Sequence, residues 1–299
     1  MWLVFLMNFL YAAAFPIGKL GLQYAGPFFL LGLRWVMAGL ILLSYYMMTT
    51  KKWHRIASED WLLMMKTILF YDVLAFSLEY WSMEYISALK TNMLWSSLPF
   101  VSALLGYYLF SERITKIKWL GLLVGTFGMI PMMLLPDERR TPWGSMLPEI
   151  AMGTVVLATA YGQYLVKRLF DKGYPLVLVN GITMMVGGVV LLVCRFAMLP
   201  FNTELCSSLH HVLGYGALQV MVYDIVATGI YGFLLRRYSV TFLSFSNLLC
   251  PIFGAVLSKF IFGETLYYHY FASFIMILIG LVLFYRDELR HERSIPLMR

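Results

Sequence analysis

The same pattern of residues occurs twice in this chain, 152 positions apart. The landmarks of the two copies are Tyr71-Asp72, Pro99, Glu112 and Gly128, and then Tyr223-Asp224, Pro251, Glu264 and Gly280. The copies keep one register without a gap from residue 71 to residue 128. Self-similarity at a fixed spacing indicates a fold built from repeated structural units. We therefore expect two similar halves, which we place at residues 1–140 and 141–299.

The composition places both halves in a lipid bilayer. Of the 299 residues, 61% are hydrophobic and 13% are charged, whereas soluble domains carry about 25% charged residues. A membrane-spanning helix needs about 20 predominantly apolar residues. Ten segments fit this requirement, at residues 3–23, 28–48, 61–81, 87–110, 117–135, 147–167, 174–198, 212–235, 239–261 and 267–285. The predicted fold is an all-α integral membrane protein of ten transmembrane helices, with no room for a soluble domain.

The distribution of basic residues orients these segments. If the N-terminus lies in the cytoplasm, the cytoplasmic connections and the C-terminal tail contain 15 of the 23 lysines and arginines. Cytoplasmic loops of membrane proteins carry such an excess. We therefore expect both termini in the cytoplasm and the chain in the cytoplasmic (inner) membrane. The same excess accounts for the net charge of +7 without a nucleic-acid partner.

Each predicted half contains five spans, and this odd number has a structural consequence. The second half must enter the bilayer from the side opposite to the first. The spans then form two inverted five-helix repeats, related by a pseudo-two-fold axis in the membrane plane. Many transporters are built in this way, and their two nearly equivalent packings expose a central site to each side of the membrane in turn.

The repeated segment resembles the fourth and fifth spans of the EamA-type transporters of the drug/metabolite transporter superfamily. The resemblance comprises small residues that open a helix, a proline within it, an acidic-basic turn and a glycine-rich span. These features stand at Ser87-Ala88, Pro99, Glu112-Arg113 and Gly121 to Gly128, and recur more loosely at Ser239, Pro251, Glu264 and Gly280. Near the N-terminus, Phe15-Pro16-Ile17-Gly18-Lys19 resembles the end of the family's first span.

This resemblance implies a transporter fold and a set of structural residues. Pro99 and Pro251 would kink their spans, and Glu112 and Glu264 would mark helix ends at opposite membrane faces. Arg34 stands where the family often has a basic residue in its second span. The resemblance also implies a central cavity lined by the first, third, fourth, sixth, eighth and ninth spans.

Asp72 and Asp224 are the first candidates for a functional site. Each lies near the middle of its span, and the repeat relates one to the other. A charge at the bilayer centre costs at least about 2.5–3.5 kcal/mol, so each side chain should face the protein interior. The functional interpretation is a proton or cation site, or an anchor for the amine of a substrate. The structural alternative is a buried carboxyl group that holds helices together.

Glu79 and Lys90 form a second candidate pair. They are equidistant from the turn between the third and fourth spans, so we expect them at the same depth on neighbouring helices. An ion pair would lower the cost of burying each charge. The pair would then be a structural link between two helices. The functional alternative is a gate, or a partner for the carboxylate of a substrate.

A polar and aromatic stripe precedes Pro99 in the fourth span. Asn92, Trp95 and Ser96 have the i, i+3, i+4 spacing of one helical face. The other candidates for the wall of a substrate cavity are Asn8, Tyr11, Tyr71, Tyr223 and Asn247, of which Asn247 is the repeat mate of Trp95. Trp95 and the tyrosines would suit a planar or cationic ligand through stacking or cation–π attraction. The structural alternative is that these aromatic rings fill gaps between helices.

The function that these features favour is a secondary active transporter or exchanger of a small polar metabolite by alternating access. Carboxylates without an evident basic residue beside them favour a cationic substrate. Amino acids fit, and so does a nucleoside-bearing sulfonium such as S-adenosylmethionine. A coupling proton and a counter-substrate are both candidates for the driving partner, and the protein would be a monomer or a homodimer in the bilayer.

Other classes of function are less well supported by the sequence. It contains no His-x-x-Glu, Cys-x-x-Cys, Gly-x-Ser-x-Gly or phosphate-loop motif. We therefore expect no catalytic residues, no bound metal and no cofactor. An intramembrane enzyme and a passive channel stay open as alternatives, and a counterflow assay separates a channel from a transporter.

Overall fold

The protein is helical throughout the residues that its structure, a computed structural model, describes. These residues are 2–50, 54–110, 115–133, 146–198, 203–234, 246–247, 249–263, 268, 271–276, 278–280 and 282–283. Within them there are helices and short connections but no strand, which confirms the all-α prediction. Glu112 and Glu264 lie outside the described residues.

The first half contributes five helical elements. They are α1 (Trp2–Gly21), α2 (Pro27–Thr50), α3 (Ser58–Tyr85), α4 (Ala88–Trp95 continued by Leu98–Phe110) and α5 (Lys116–Met133). The second half contributes α6 (Leu147–Asp171), α7 (Leu176–Met198), α8 (Thr203–Gln219, Val220–Ala227 and Thr228–Leu234), α9 (Leu249–Phe262) and helical residues at 271–276 and 278–280, here α10.

Five of these helices are long and apolar enough to cross a bilayer. They are α1, α2, α3, α7 and the Leu209–Tyr231 part of α8. Their outer faces carry large exposed apolar side chains, such as Leu40, Ile41, Val189, Val193 and Met221. A row of exposed apolar residues on long helices suits a lipid environment, in which the backbone polar groups are satisfied within each helix.

The fourth predicted span is broken next to its proline. The backbone amides of Ser96 and Ser97 donate to the carbonyl groups three residues earlier, on Met93 and Leu94, instead of four. Helix geometry resumes at Leu98, and Pro99 is its second residue. Because proline has no amide hydrogen, it is tolerated in the first turn of a helix but interrupts a helix interior. The kink expected at Pro99 is therefore a full break between two shorter helices.

Two π-helical segments occur at matching positions of the repeat. Ile68–Phe76 within α3 and Val220–Ala227 within α8 both have π-helical geometry, and their first residues are again 152 positions apart. Each segment contains the Tyr-Asp pair of its copy. π-Helical turns are rare and are concentrated at functional sites, so the backbone marks the same two places as the intramembrane aspartates.

The most extensive contact between two helices joins α2 to α7. A Cβ atom on Gly188 would lie 2.8 Å from the carbonyl oxygen of Gly32, which is closer than side chains pack. Small residues permit such approaches between membrane helices. Contacts run in opposite directions along the two helices, because Gly32 lies against Leu192 whereas Gly181 lies against Leu43. α2 and α7 are therefore antiparallel.

The contacts at this crossing are arranged with two-fold symmetry. Gly32 and Gly39 of α2 correspond to Gly181 and Gly188 of α7 at a constant offset of 149. Under this correspondence the contact between Gly32 and Leu192 becomes that between Gly181 and Leu43, and both contacts occur. The contact between Gly39 and Met185 likewise becomes that between Gly188 and Val36, and both occur again. α2 and α7 are thus exchanged by a local pseudo-two-fold axis.

The glycines of the fifth span also pack within the chain. A Cβ atom on Gly280 would lie 2.6 Å from the carbonyl oxygen of Gly121 and 2.6 Å from the amide nitrogen of Gly125. These glycines therefore join α5 to α10.

The largest buried apolar cluster lies where α2, α3, α6, α7 and α8 meet. Its members include Leu30, Trp35, Ala75, Met83, Val155, Met184 and Val220. Arg34, Asp72, Glu79 and Asp224 lie on the same set of helices. The apolar cluster therefore surrounds the polar site with a water-poor environment.

Candidate functional site

Seven charged side chains are buried among the described residues, and five of them are the least exposed. Arg34, Asp72, Glu79, Lys90 and Asp224 are each at most 5% exposed. Charges at membrane depth face a bundle interior, where they are paired or functional. The environment of each one therefore decides what the site can do.

Asp224 is fully paired. The Arg34 guanidinium donates from Nε to Oδ2 at 2.9 Å and from Nη2 to Oδ1 at 2.8 Å. This bidentate geometry is the strongest arrangement available to an arginine and a carboxylate. The expectation that the interior carboxylates have no basic residue beside them is therefore wrong for Asp224, because Arg34 from α2 reaches across to α8.

The pair belongs to a hydrogen-bonded chain that joins four helices. Arg34 Nη1 donates to the Tyr80 hydroxyl at 2.7 Å, and this hydroxyl donates to Gln219 Oε1 at 2.7 Å. Gln219 Nε2 then donates to the carbonyl of Ala14 at 2.9 Å. The guanidinium also lies 5.2 Å from the ring centroid of Tyr223, within the range of a cation–π contact. This chain locks α1, α2, α3 and α8 together.

The expected ion pair between Glu79 and Lys90 does not form. Lys90 Nζ instead donates to Glu149 Oε1 of α6 at 2.7 Å. Equal distance from a turn fixes the depth of two residues but not the direction in which each helix face points. Lys90 is directed towards α6, whereas Glu79 is directed inward, towards Arg34 and Trp95.

Glu79 and Trp95 have unused hydrogen-bonding capacity. Glu79 Oε2 and Trp95 Nε1 are both buried atoms with no hydrogen-bond partner among the described residues. The two side chains face one another without a hydrogen bond of ordinary geometry. Buried polar atoms are nearly always satisfied, and leaving one unsatisfied costs about 1–3 kcal/mol. Unsatisfied groups that face each other are where a polar ligand would be stabilised.

Aromatic rings surround this point. The Trp95 ring lies 6.5 Å from Phe15 and 6.5 Å from Phe76, centroid to centroid. A second group forms where Tyr11 and Tyr223 approach to 5.3 Å. These separations are typical of interacting aromatic pairs.

The aromatic residues predicted for the cavity wall are half-buried. Tyr11, Tyr71, Trp95 and Tyr223 each keep part of their surface accessible. Tyr11 lies against Tyr223, and Tyr71 packs against Gly162 of α6.

Asp72 lies against α7. Its Cβ atom is 3.5 Å from the position that a Cβ atom would take on Gly187, and its carboxyl group contacts the Thr183 side chain. Oδ2 of Asp72 has no hydrogen-bond partner among the described residues. Asp72 is therefore buried as deeply as Asp224 but lacks a basic residue in contact with it in this part of the structure.

The amide side chains that the sequence suggested for the cavity wall are engaged mainly in helix packing. Asn92 Nδ2 donates to the Cys250 carbonyl at 3.1 Å. Asn8 Nδ2 donates to the Val4 carbonyl at 2.8 Å and to Ser246 Oγ at 3.0 Å. These bonds join α1, α4 and α9 side by side.

Two residues of the predicted cavity wall are only half-buried. The Ser96 hydroxyl donates to the Asn92 carbonyl at 3.3 Å, within its own helix. Oδ1 of the half-buried Asn247 is a buried atom without a partner among the described residues.

Polar contacts also join the helices at the two ends of the bundle. At the end formed by the α3–α4 turn, Lys19 Nζ donates to the Ile86 carbonyl at 2.6 Å, close in sequence to the Lys90–Glu149 pair. At the opposite end, Asp60 pairs with Lys172 and accepts a hydrogen bond from the Tyr174 hydroxyl at 2.8 Å. The Lys90–Glu149 pair joins α4 to α6, and the bond from Lys19 joins α1 to the α3–α4 turn. The contacts of Asp60 join α3 to the connection between α6 and α7.

Several site residues were not singled out from the sequence. Gln219 is a polar residue of the eighth span, but its link to Tyr80 crosses 139 positions. Thr183 is one of many hydroxyl residues in apolar segments. Glu149 follows Pro148 in the first turn of the sixth span, where an acidic residue is expected for helix capping alone. An intramembrane arginine is a strong signal by itself, and Arg34 deserved the same weight as the aspartates.

A bundle of helices with apolar outer faces and a polar, aromatic interior is typical of an integral membrane protein. Residues 1–134 match the model of the EamA-like transporter family. The first 134 residues of the chain are therefore similar to EamA-like transporters.

The chain is also similar to individual proteins of this class. S-adenosylmethionine/S-adenosylhomocysteine transporters of Chlamydia trachomatis serovar L2 and Chlamydia muridarum are each 25% identical over 297 residues, which is 97% of this chain and 90% and 92% of theirs. An uncharacterized transporter from Synechocystis is 29% identical over 86% of this chain and 81% of its own. A protein crystal structure with a TM-score of 0.59 and 14% identity covers 94% of this chain and 97% of its own, so the two share a fold.

Proposed function

We propose that this protein moves S-adenosylmethionine and S-adenosylhomocysteine across the cytoplasmic membrane, in exchange for one another or with a coupling proton. The observation that carries this proposal is the buried Glu79 carboxylate, whose Oε2 atom has no hydrogen-bond partner among the described residues, facing the buried indole of Trp95. The chain is also similar over nearly its whole length to transporters named for these two compounds.

The chemistry of the interior suits such a substrate. S-adenosylmethionine combines an adenine ring, a sulfonium cation and an amino-acid group. The Glu79 carboxylate is a partner for a cation, and the rings of Trp95, Phe15 and Phe76 offer surfaces for stacking an aromatic base. Arg34 lies near Glu79 and, among the described residues, supplies the positive charge of this network, which offsets part of its negative charge.

The proposal includes an architecture of ten transmembrane helices in two inverted five-helix repeats, divided at residues 1–140 and 141–299. The antiparallel, symmetric crossing of α2 and α7 supports an inverted relation between the halves. The matched π-helical segments support a common internal structure. With the distribution of basic residues, this arrangement supports cytoplasmic termini and the inner membrane.

Alternating access then follows from the position of the contacts at the two ends. With cytoplasmic termini, the Lys90–Glu149 pair and the bond from Lys19 to Ile86 lie at the external end. The Asp60–Lys172 pair lies at the cytoplasmic end. Breaking one set while the other holds would open the central site to one side, as in transporters built from inverted repeats. The protein acts as a monomer or a homodimer in this proposal.

Exchange by the purified protein in proteoliposomes tests the proposal. Vesicles loaded with S-adenosylhomocysteine should take up labelled S-adenosylmethionine faster than empty vesicles, because a transporter returns loaded and a channel does not. Uptake that is linear in substrate concentration and insensitive to the internal compound would indicate a passive channel and contradict the proposal.

The substitution Glu79→Gln tests the role of the carboxylate. It should weaken S-adenosylmethionine binding by about tenfold or more, corresponding to about 1.4 kcal/mol. It should weaken S-adenosylhomocysteine binding less, since that compound lacks the sulfonium charge. Competition for uptake measures both affinities. Glu84→Gln is the matched control, because Glu84 is on the same helix but is half-buried near its end. If the substitution weakens the binding of both compounds equally, Glu79 does not recognise the sulfonium group.

A further inference from the structure

Asp72 and Asp224 occupy equivalent places in the repeat but have unequal surroundings. Asp224 accepts two hydrogen bonds from the Arg34 guanidinium, at 2.9 and 2.8 Å. Asp72 is 1% exposed, and its Oδ2 atom has no hydrogen-bond partner among the described residues. The difference is one of charge compensation and not of burial.

The symmetry of α2 and α7 identifies the residue that corresponds to Arg34. The offset of 149 that aligns Gly32 with Gly181 and Gly39 with Gly188 aligns Arg34 with Thr183. Thr183 is 3% exposed and is the side chain that contacts the Asp72 carboxyl group. The Arg34–Asp224 and Thr183–Asp72 contacts are therefore images of one another. Asp224 is therefore in contact with the permanent positive charge of Arg34, whereas Asp72 is in contact with the neutral hydroxyl of Thr183.

The groups around Asp72 do not supply the missing positive charge. α7 presents Thr183 and Gly187, and α2 presents Trp35, which lies 3.3 Å from the Cβ position of Gly187. From α8 the nearest ionisable group is Asp224, whose negative charge is engaged by Arg34. Tyr71 is the ionisable neighbour on α3 itself. α6 also packs on this segment, through Gly162 against Tyr71, and its basic residues Lys167 and Arg168 are exposed more than a turn further along the helix. The groups that face Asp72 from these described helices are therefore neutral or negative.

A buried carboxylate without a partner requires a cation. The penalty for an uncompensated ion in a protein interior is several kcal/mol. Hard metal cations such as Ca²⁺ and Mg²⁺ take six or more oxygen ligands. The Asp72 carboxylate and the Thr183 hydroxyl provide fewer than that, which favours a proton as the compensating cation.

We propose that Asp72 is a proton-exchange site through which transport is coupled to the proton gradient, while its repeat mate Asp224 stays ionised beside Arg34. The proton forms an O–H bond with the carboxylate when the site communicates with the more acidic side. Hydronium on that side gives up the proton and becomes water. When the site opens to the other side, the O–H bond on Asp72 breaks and the proton passes to water there. This inference rests on the proposed transport function and names the group that would carry its coupling proton.

Two substitutions test the proposal in proteoliposomes. Asp72→Asn removes the titrating group, and Thr183→Arg supplies the guanidinium that Asp224 already has. For the unaltered protein, a gradient of one pH unit should change the accumulation of labelled S-adenosylmethionine by up to about tenfold relative to exchange without a gradient. In both variants this ratio should fall to about one. Asp171→Asn is the matched control, because Asp171 is exposed at the end of α6, and it should keep the ratio of the unaltered protein.

An infrared titration of the purified protein tests the proton site independently of transport. Glu79, a second buried carboxyl group, is replaced by Gln in both samples of this titration. In that background a protonated carboxyl band that changes between about pH 5 and 9 should be present when Asp72 is retained and absent in the Asp72→Asn variant. If exchange is absent but this band behaves as expected, the proposed substrate is wrong and the proton site stands. If exchange is present but the band survives in Asp72→Asn, or a sodium gradient replaces the proton gradient, the proton site is wrong.

Discussion

Arg34 organises the interior more than any other single side chain. It pairs with Asp224, donates to Tyr80 and lies over the Tyr223 ring. Breaking a buried ion pair by removing one partner leaves an uncompensated charge, which typically costs about 3–5 kcal/mol. Replacing both partners by apolar residues of similar volume is often close to neutral. Removing one partner of the pair should therefore cost much more stability than replacing both partners.

The substitution Arg34→Met should destabilise the protein by about 3–5 kcal/mol, because it leaves Asp224 buried without a cation. The double substitution Arg34→Met with Asp224→Leu should recover more than half of that loss. Thermal unfolding of the purified variants in one detergent measures both effects. A double variant less stable than the single one would mean that the pair itself, and not the uncompensated carboxylate, dominates the stability.

The crossing of α2 and α7 depends on glycine for its closeness. Gly188 faces the backbone of α2, where a Cβ atom would lie 2.8 Å from both the Gly32 carbonyl oxygen and the Val36 amide nitrogen. Backbone atoms cannot move aside as the end of a flexible side chain can. Since Arg34 and Thr183 lie on these two helices, the crossing also sets the distance of each from its aspartate.

The substitution Gly188→Leu should therefore force α2 and α7 apart and destabilise the protein by about 1–3 kcal/mol. It should also lower exchange activity, because Arg34 and Thr183 would move relative to α8 and α3. Gly153→Leu on α6 is the control, since no atom lies within 4 Å of the Cβ position there. Thermal unfolding and exchange assays on both variants check the prediction, and equal effects of the two substitutions would contradict it.

The two halves of the molecule are alike in backbone and unlike in charge. The π-helical segments and the α2–α7 contacts repeat, whereas Arg34 is matched by Thr183. In an inverted repeat the two conformations that face opposite sides are nearly equivalent. Unequal charges at equivalent places make them energetically different, so a proton gradient can favour one over the other.

The proposed orientation of the whole molecule is testable with single cysteines in a background lacking Cys194, Cys206 and Cys250. G26C and H210C should react with a membrane-impermeant reagent from outside the cell, because they follow odd-numbered spans. S58C and D171C should react only after the membrane is opened. All four positions are exposed, so the difference reports the side of the membrane. Labelling of G26C and H210C from opposite sides would contradict the inverted arrangement.

Much of this architecture follows from the order of residues alone. The apolar segments, their lengths and the offset of 152 between the copies are properties of the linear chain, because helix formation in a bilayer is governed by local hydrophobicity. Asp72 and Asp224 were likewise identifiable as interior residues, since the cost of exposing a charge to lipid applies at any position in a span.

The partners of those charges were decided by the tertiary structure. Which residue meets Asp224 depends on how α2 crosses α8, and the two are separated by 190 positions. For the same reason Lys90 meets Glu149 and leaves Glu79 to face Trp95. Hydrophobicity and spacing determine how deep a residue lies in the membrane, but the direction of each helix face is set by close packing, as at Gly32 and Gly188. Pairing of charges is therefore a property of the packed bundle and not of any one helix.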